Sequence, residues 1–253
     1  MADVYGAPIF LSLGAVAAIG APLYYFGFAV PPRTLAAFGI FLFAVICGLV
    51  PTSLLSRFSQ LMHILRRTHA PSRVAHRRWN YNEIRPRLFL GRQPRTLADV
   101  REMQSKGVTA FVALNEEWEL FVPSSAYATL ETPLARLQLP VPDYAAPTLD
   151  KLEEAATFVQ RHLEEGGAVY VHCNAGKGRS SVVVAAHLMA TEKDAHASAA
   201  ACVLHLRTLR PQVSLGLLDW PFRAQARILR RFFDKRRVRF FSHFQRMRAV
   251  DFL

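Results

Sequence analysis

The chain has 253 residues and a formal net charge of +12, with 31 Lys and Arg against 19 Asp and Glu. That length holds one catalytic domain of common size plus further segments, and the excess of basic residues implies an anionic partner, either nucleic acid or an acidic membrane surface. Three cysteines, Cys47, Cys173 and Cys202, lie far apart without metal-ligand spacing, which argues against both a disulfide framework and a zinc site.

Residues 4–32 and 34–56 carry no charged side chain, so Arg33 alone separates two apolar stretches. Each exceeds the roughly 20 residues a helix needs to cross a bilayer. Two transmembrane helices are predicted over 7–29 and 35–55, joined by Val30-Pro31-Pro32-Arg33. A cleaved signal peptide fits less well, because the first residues are acidic at Asp3 and the apolar run is too long. Buried core helices are the plainer alternative, disfavoured by the charge-free length. Gly14, Gly20, Gly27, Gly39 and Gly48 would let two such spans pack closely.

After Ser56 the composition reverses. Arg57, Arg66, Arg67, Arg73, Arg77 and Arg78 follow, with no acidic residue before Glu83. The positive-inside rule places this side, with both termini, in the cytoplasm or an equivalent compartment such as the mitochondrial matrix. Residues 57–67 have the pattern of an amphipathic helix that lies along a lipid surface. His63, His69 and His76 read as interfacial polar residues rather than ligands. Ala70-Pro71-Ser72 reads as a linker, and the boundaries drawn are 1–56 membrane spans, 57–78 basic linker, 79–225 catalytic domain and 226–253 basic aromatic tail.

Within the catalytic domain, Leu88-Phe89-Leu90-Gly91 is the predicted first strand and turn. Thr96 caps a helix to about Lys106, ended by Gly107, and 108–114 is a buried strand. A strand near 135–139 follows, then a helix near 148–164 ended by Gly166-Gly167, a strand over 168–172, and helices near 179–191 and 194–209. Strands alternating with helices predict an α/β sheet with helices on both faces.

The stretch Val169 to Val184 joins an apolar strand to a helix through His172-Cys173-Asn174-Ala175-Gly176-Lys177-Gly178-Arg179-Ser180. Gly176 and Gly178 allow the backbone N–H groups of this turn to curl into a ring, and the ring sits on a helix N-terminus that attracts anions. Arg179 can hold two phosphate oxygens at once, and the same field favours the thiolate form of a cysteine. Ser180 can hydrogen-bond that sulfur. A cysteine buried beside an ordinary strand-to-helix turn would have little use for both Lys177 and Arg179. A Cys-His-Asn acyl-transfer enzyme would need flanking signatures that this chain lacks.

His-Cys, five residues, Arg, Ser resembles the signature of the cysteine-dependent protein-tyrosine and dual-specificity phosphatases. Asn115-Glu116-Glu117-Trp118-Glu119, with Trp79-Asn80-Tyr81-Asn82 and the segment from Val141 to Thr148, resembles one branch, the mitochondrial phosphatidylglycerophosphate phosphatases that act on a lipid in cardiolipin synthesis. The resemblance covers about residues 79–212. It implies Cys173 as nucleophile, Arg179 as phosphate and transition-state ligand, and a loop of Asn174, Ala175, Gly176, Lys177 and Gly178 binding the substrate phosphate. It further implies Ser180 and His172 as supports of the thiolate, and Glu116, Glu117 and Glu119 as contacts to the loop or its basic residues. No metal and no cofactor are implied, since the amides and Arg179 take the electrostatic role.

Expulsion of an alkoxide needs a proton donor. Asp143 follows a strand, lies between Pro142 and Pro147, and precedes Cys173 by thirty positions, as in dual-specificity phosphatases; Asp150 and Glu131 compete for the role. Lys177 favours a substrate with extra negative charge, which phosphatidylglycerophosphate and phosphoinositides both have. Beyond Pro211 the family pattern cannot be aligned, and residues 227–248 interleave arginine with Phe232, Phe233, Phe240 and Phe244, as at an anionic bilayer surface. RNA binding by that tail is the competing reading, as is a last helix packed on the domain. The expected function is a membrane-anchored phosphatase of phosphatidylglycerophosphate at a bacterial or mitochondrial inner membrane. The alternatives are a membrane-bound protein or phosphoinositide phosphatase, and a non-catalytic binder, against which the intact Cys173, Arg179 and Asp143 argue.

Overall fold

The computed structural model describes residues 51–69, 79–192, 198–215 and 224–235. The predicted membrane spans lie outside these residues except for the last positions of the second, and the tail 226–253 is described only to residue 235. None of the described helices is long and apolar enough to cross a membrane. The predicted surface segment 57–67 falls inside a longer helix, α1 (Thr52–His69). Leu54, Phe58, Leu61 and Ile64 of α1 are exposed, at the spacing that puts apolar side chains on one face.

One five-stranded sheet organises the domain: β1 (Tyr81–Arg85), β2 (Leu88–Arg92), β3 (Val108–Ala113), β4 (Ala135–Gln138) and β5 (Ala168–Cys173), in the order β1-β2-β5-β3-β4. β1 and β2 form an antiparallel hairpin, whereas β2, β5, β3 and β4 are parallel neighbours. Their carboxyl ends therefore share one edge, where open α/β sheets bind ligands.

β5 is buried along its whole length, as a strand covered on both faces must be. Alternation sends Val169, Val171 and Cys173 into one core, and Ala168 and Tyr170 into the other. The first core is closed by α3 (Leu149–Glu164), α4 (Arg179–Thr191), α5 (Ala199–Leu209) and a helix over 224–235, the second by α2 (Leu97–Ser105). Helices thus cover both faces, as the alternating pattern predicts.

Three helices begin with a side-chain cap. Thr96 and Asp99 form a capping box on α2, Thr148 accepts from Lys151 N on α3, and Ser198 accepts from Ala201 N on α5. α4 begins at Gly178 with no side-chain cap, which leaves its first N–H groups for another partner. Two boundaries differ from expectation. The described part of the last predicted helix starts at Ala199, because Ser198 is extended and caps it. The first strand is β1, whose short, partly exposed run YNEIR lacks the apolar continuity that marks a central strand.

Gly91 of β2 marks a close approach: a Cβ there would lie 2.3 Å from Tyr170 Oη and 2.5 Å from Tyr81 Cβ. Gly91→Ala is expected to lower stability by about 1–3 kcal/mol, the usual cost of overpacking. Thermal unfolding followed by circular dichroism reads this, and an unchanged midpoint would contradict the packing described.

Candidate active site

The chain leaves β5 at Cys173 and enters α4 at Arg179, so five residues must turn between a strand end and a helix start. The turn requires Gly176 at φ +66, where a Cβ would also fall 2.4 Å from the carbonyl carbon and oxygen of Gly91. The loop carbonyls are bound from outside. Arg210 Nε donates to Gly176 O at 2.9 Å and Arg210 Nη2 to Ala175 O at 3.5 Å, while Ser214 N donates to Lys177 O at 2.9 Å. A trans peptide sets its N–H opposite its C=O, so these anchors turn the N–H groups of Gly176, Lys177 and Gly178 inward. With the uncapped end of α4 they form an anion-binding nest. Lys177 is exposed, and Asn174 and Ala175 are partly exposed.

Cys173 sits under this ring, almost fully buried, and its Sγ accepts a hydrogen bond from Ser180 Oγ at 3.2 Å. The other described cysteine, Cys202, is also buried, and burial pushes its thiol up to about 12. It has no such loop around it. Among the described residues no cluster of three or more His, Cys, Asp or Glu is placed to hold a metal ion.

Arg179 is only 2% exposed, and both of its Nη atoms are engaged. Its Nη1 donates to Glu119 Oε2 at 2.7 Å and to Val141 O at 2.7 Å, and its Nη2 donates to Glu119 Oε1 at 2.8 Å. Nη2 also meets Asp143 Oδ1 at 3.0 Å. Burial pulls the Arg179 pKa down, but the Glu119 hydrogen bonds and the nearby Asp143 and Cys173 outweigh it, and the guanidinium is held above its ordinary value.

The three glutamates of the Glu-Glu-Trp-Glu run therefore have different places. Glu119 is the buried partner of Arg179, and its Oε2 also accepts from Glu116 N at 2.8 Å. Glu117 points away and holds Ser124, accepting from its N at 3.0 Å and its Oγ at 2.8 Å, which keeps its carboxyl below the ordinary range. Asp143 accepts from Tyr144 N at 3.1 Å through Oδ1, and Ser59 Oγ of α1 donates to its Oδ2 at 2.7 Å. Of its competitors, Asp150 lies in the first turn of α3 and Glu131 is exposed beyond the turn 124–129.

His172 is buried and pairs through Nδ1 with Asn115 Oδ1 at 3.2 Å. Burial, with the charges of Arg136 and Arg179, lowers its pKa to about 3, so the ring is neutral and does not act as a cation beside Cys173. It fixes the loop after β3 against β5 instead.

Sequence reasoning missed four residues here. Gln93 joins the loops: its Nε2 donates to Asn174 Oδ1 and Glu119 O, each at 3.1 Å, and its Oε1 accepts from Phe121 N. Asn115 stood in the quoted Asn-Glu-Glu-Trp-Glu run but without a role, and Arg210 and Ser59 had no signal. Gln93 had a clue, as a polar residue directly after an apolar strand.

The sequence pattern of the Swiss Army Knife protein, DSP-PTPase phosphatase domain, matches residues 80–215. The phosphatidylglycerophosphate phosphatase PTPMT2 of Arabidopsis thaliana is 35% identical over 139 residues, 54% of this chain and 58% of that protein. The phosphatidylglycerophosphatase and protein-tyrosine phosphatase 1 of Homo sapiens is 32% identical over 167 residues, 64% of this chain and 80% of that protein. This chain thus spans little more than half of the Arabidopsis protein. The crystal structure of PTPMT1 in complex with PI(5)P superposes with a TM-score of 0.54 at 26% identity, over 63% of this chain and 97% of that one.

Two outcomes follow from the buried groups. Glu119→Gln removes the two-pronged counter-charge of Arg179 and leaves Asp143 as its remaining carboxylate; it is expected to cost about 3–5 kcal/mol of stability, with a fall in kcat/KM for any phosphate ester, and denaturant unfolding and steady-state kinetics measure both. His172 is neutral when folded, whereas its ordinary value is 6.5. Between pH 6.5 and about 3 the unfolded chain therefore binds the extra proton, and stability falls on acidification through that window. His172→Gln is expected to flatten this dependence, read as unfolding midpoints across the same window.

Proposed function

The chain belongs to the DSP-PTPase phosphatase family, and on that premise we propose that it is a membrane-anchored phosphatase converting phosphatidylglycerophosphate to phosphatidylglycerol. The observation that carries the lipid reading is the placement of α1. Its Ser59 touches Asp143 while Leu54, Phe58, Leu61 and Ile64 are exposed along the helix. α1 therefore docks on the pocket through Ser59 while its exposed apolar residues, about 100–160° around the helix from Ser59, face away from that contact, and no acidic residue occurs between Asp3 and Glu83 to repel an anionic bilayer. The two named relatives, both phosphatidylglycerophosphatases, support the same substrate.

The chemistry takes two steps. Cys173 Sγ attacks phosphorus as the bond to the lipid oxygen breaks, and the proton of Asp143 passes to that oxygen. The cysteinyl-phosphate is held by the loop N–H groups and Arg179, which face the charge of the equatorial oxygens. Water then attacks phosphorus and gives its proton to Asp143, and the S–P bond breaks. Ser180 Oγ–H, directed at Sγ, stabilises the departing thiolate. The membrane spans 7–29 and 35–55 would hold the domain at the surface, on the cytoplasmic or matrix side.

A phosphoinositide is the second reading, favoured by the exposed Lys177 on the loop and by the PI(5)P complex of PTPMT1. Phosphate release by detergent-solubilised full chain is to be compared on phosphatidylglycerophosphate, a phosphoinositide and a phosphotyrosine peptide. Preference for phosphatidylglycerophosphate is expected, with a loss of about 10³-fold or more in Cys173→Ser. Preference for the phosphoinositide would install the second reading, and preference for the peptide would overturn the lipid assignment.

A further inference from the structure

Two buried guanidiniums are tied to the phosphate loop, Arg179 as the first residue of the helix that follows it and Arg210 through its carbonyls. Arg179 lies within the pocket and Arg210 behind it, and they are 2% and 1% exposed. Their compensation differs. Arg179 is matched by the carboxylates of Glu119 and Asp143. Arg210 meets Asn82 Oδ1 at 2.7 Å, Gly176 O at 2.9 Å and Ala175 O at 3.5 Å, all neutral acceptors. Among the described residues no carboxylate pairs with it. Burial pulls its pKa down from the ordinary value, with Tyr170 and Cys173 acting in the opposite direction.

A buried cation without a counter-charge is costly, by several kcal/mol in general. Its surroundings make sense when the missing anion is the ligand itself. We propose that Arg210 is the uncompensated positive charge of the phosphate site, a positioning residue that fixes the loop carbonyls outward and stabilises the Cys173 thiolate and a bound phosphoryl group through the loop, touching neither. Asn82, on the neighbouring hairpin, aims the guanidinium without neutralising it. The inference rests on the phosphoryl-binding reading of the loop.

Charge and scaffolding separate by experiment. Asn82→Asp keeps the anchor on Arg210 Nη1 and adds the absent carboxylate; Arg210→Gln removes the charge, and Arg210→Lys restores it. Inorganic tungstate serves as the oxyanion probe on the full chain in detergent, with the pH midpoint of Cys173 alkylation by iodoacetate as the second readout. Asn82→Asp and Arg210→Gln are each expected to weaken tungstate binding about tenfold and raise the midpoint by about one pH unit, with Arg210→Lys recovering most of both. Asn82→Asp should do so with an unfolding temperature equal to or above that of the unmodified chain, so a folding failure of Arg210→Gln does not obscure the result. Tungstate binding within twofold and an unmoved midpoint in Asn82→Asp would overturn the proposal and leave Arg210 a scaffold. Failure of the unmodified chain to bind tungstate would instead remove the phosphoryl-loop reading, and this inference with it.

Discussion

The fork between Arg179 and Glu119 is the interaction on which the pocket depends. Removing either ion from water costs several kcal/mol, and attraction in the interior offsets that only when geometry is good and the remaining polar atoms are bonded. Both conditions hold, since both Nη atoms meet the carboxylate, Nη1 also meets Val141 O, and Glu119 Oε2 also accepts from Glu116 N. The pair therefore ties together the loops that leave β3, β4 and β5. Those loops are already aligned by the sheet, because Leu114 N bonds His172 O, Leu139 N bonds Ala113 O and Val141 N bonds Leu114 O. The sheet brings three chain segments to one edge, and the buried ion pair fixes their relative positions.

The β1–β2 hairpin is as much part of the site as the signature loop. A Cβ on Gly176 would strike the Gly91 carbonyl, and one on Gly91 would strike Tyr170 Oη and Tyr81 Cβ. Asn82 reaches Arg210, and Gln93 bridges Asn174 to the Glu119 segment. The uncapped start of α4 completes the design. The other helices with described starts among α2, α3 and α5 satisfy their first N–H groups with their own side chains, whereas α4 leaves that role to an anion.

What was legible in the sequence is what short-range patterning encodes. The apolar run 168–172 followed by glycines and a second apolar run predicts strand, turn and helix without knowledge of the rest, and the cap Thr96 is readable from its neighbours. The signature residues Cys173, Arg179 and Ser180 lie within seven positions of one another. Gln93, Asn115, Arg210 and Ser59 act across 26 to 128 positions. Nothing local distinguishes Arg210 from the other arginines of a basic chain, because its meaning lies in its neutral partners, which only the fold brings to it. The glutamates show the same limit: their run was visible, but a turn of 3₁₀ helix over Glu117–Glu119 decides that Glu119 faces Arg179 and Glu117 faces Ser124.

Asp143 shows how closely the pieces constrain one another. Its Oδ1 lies on Arg179 Nη2, an edge that also carries Glu119. A phosphoryl oxygen bound to that edge takes the position of Oδ1, so the carboxylate and the ligand compete for one donor. The backbone around Asp143 gives little room for a large swing: Lys151 Nζ holds Pro140 O at 2.6 Å, Ala145 N holds Pro142 O at 3.0 Å, and Gln225 Nε2 holds Ala145 O at 2.8 Å. The group that yields is the side chain, which rotates between staggered wells at small cost. Ser59 stands on the outer oxygen of that same carboxyl. A phosphoryl oxygen on that edge would therefore release the Asp143 carboxyl from Arg179 toward Ser59, the partner of its outer oxygen.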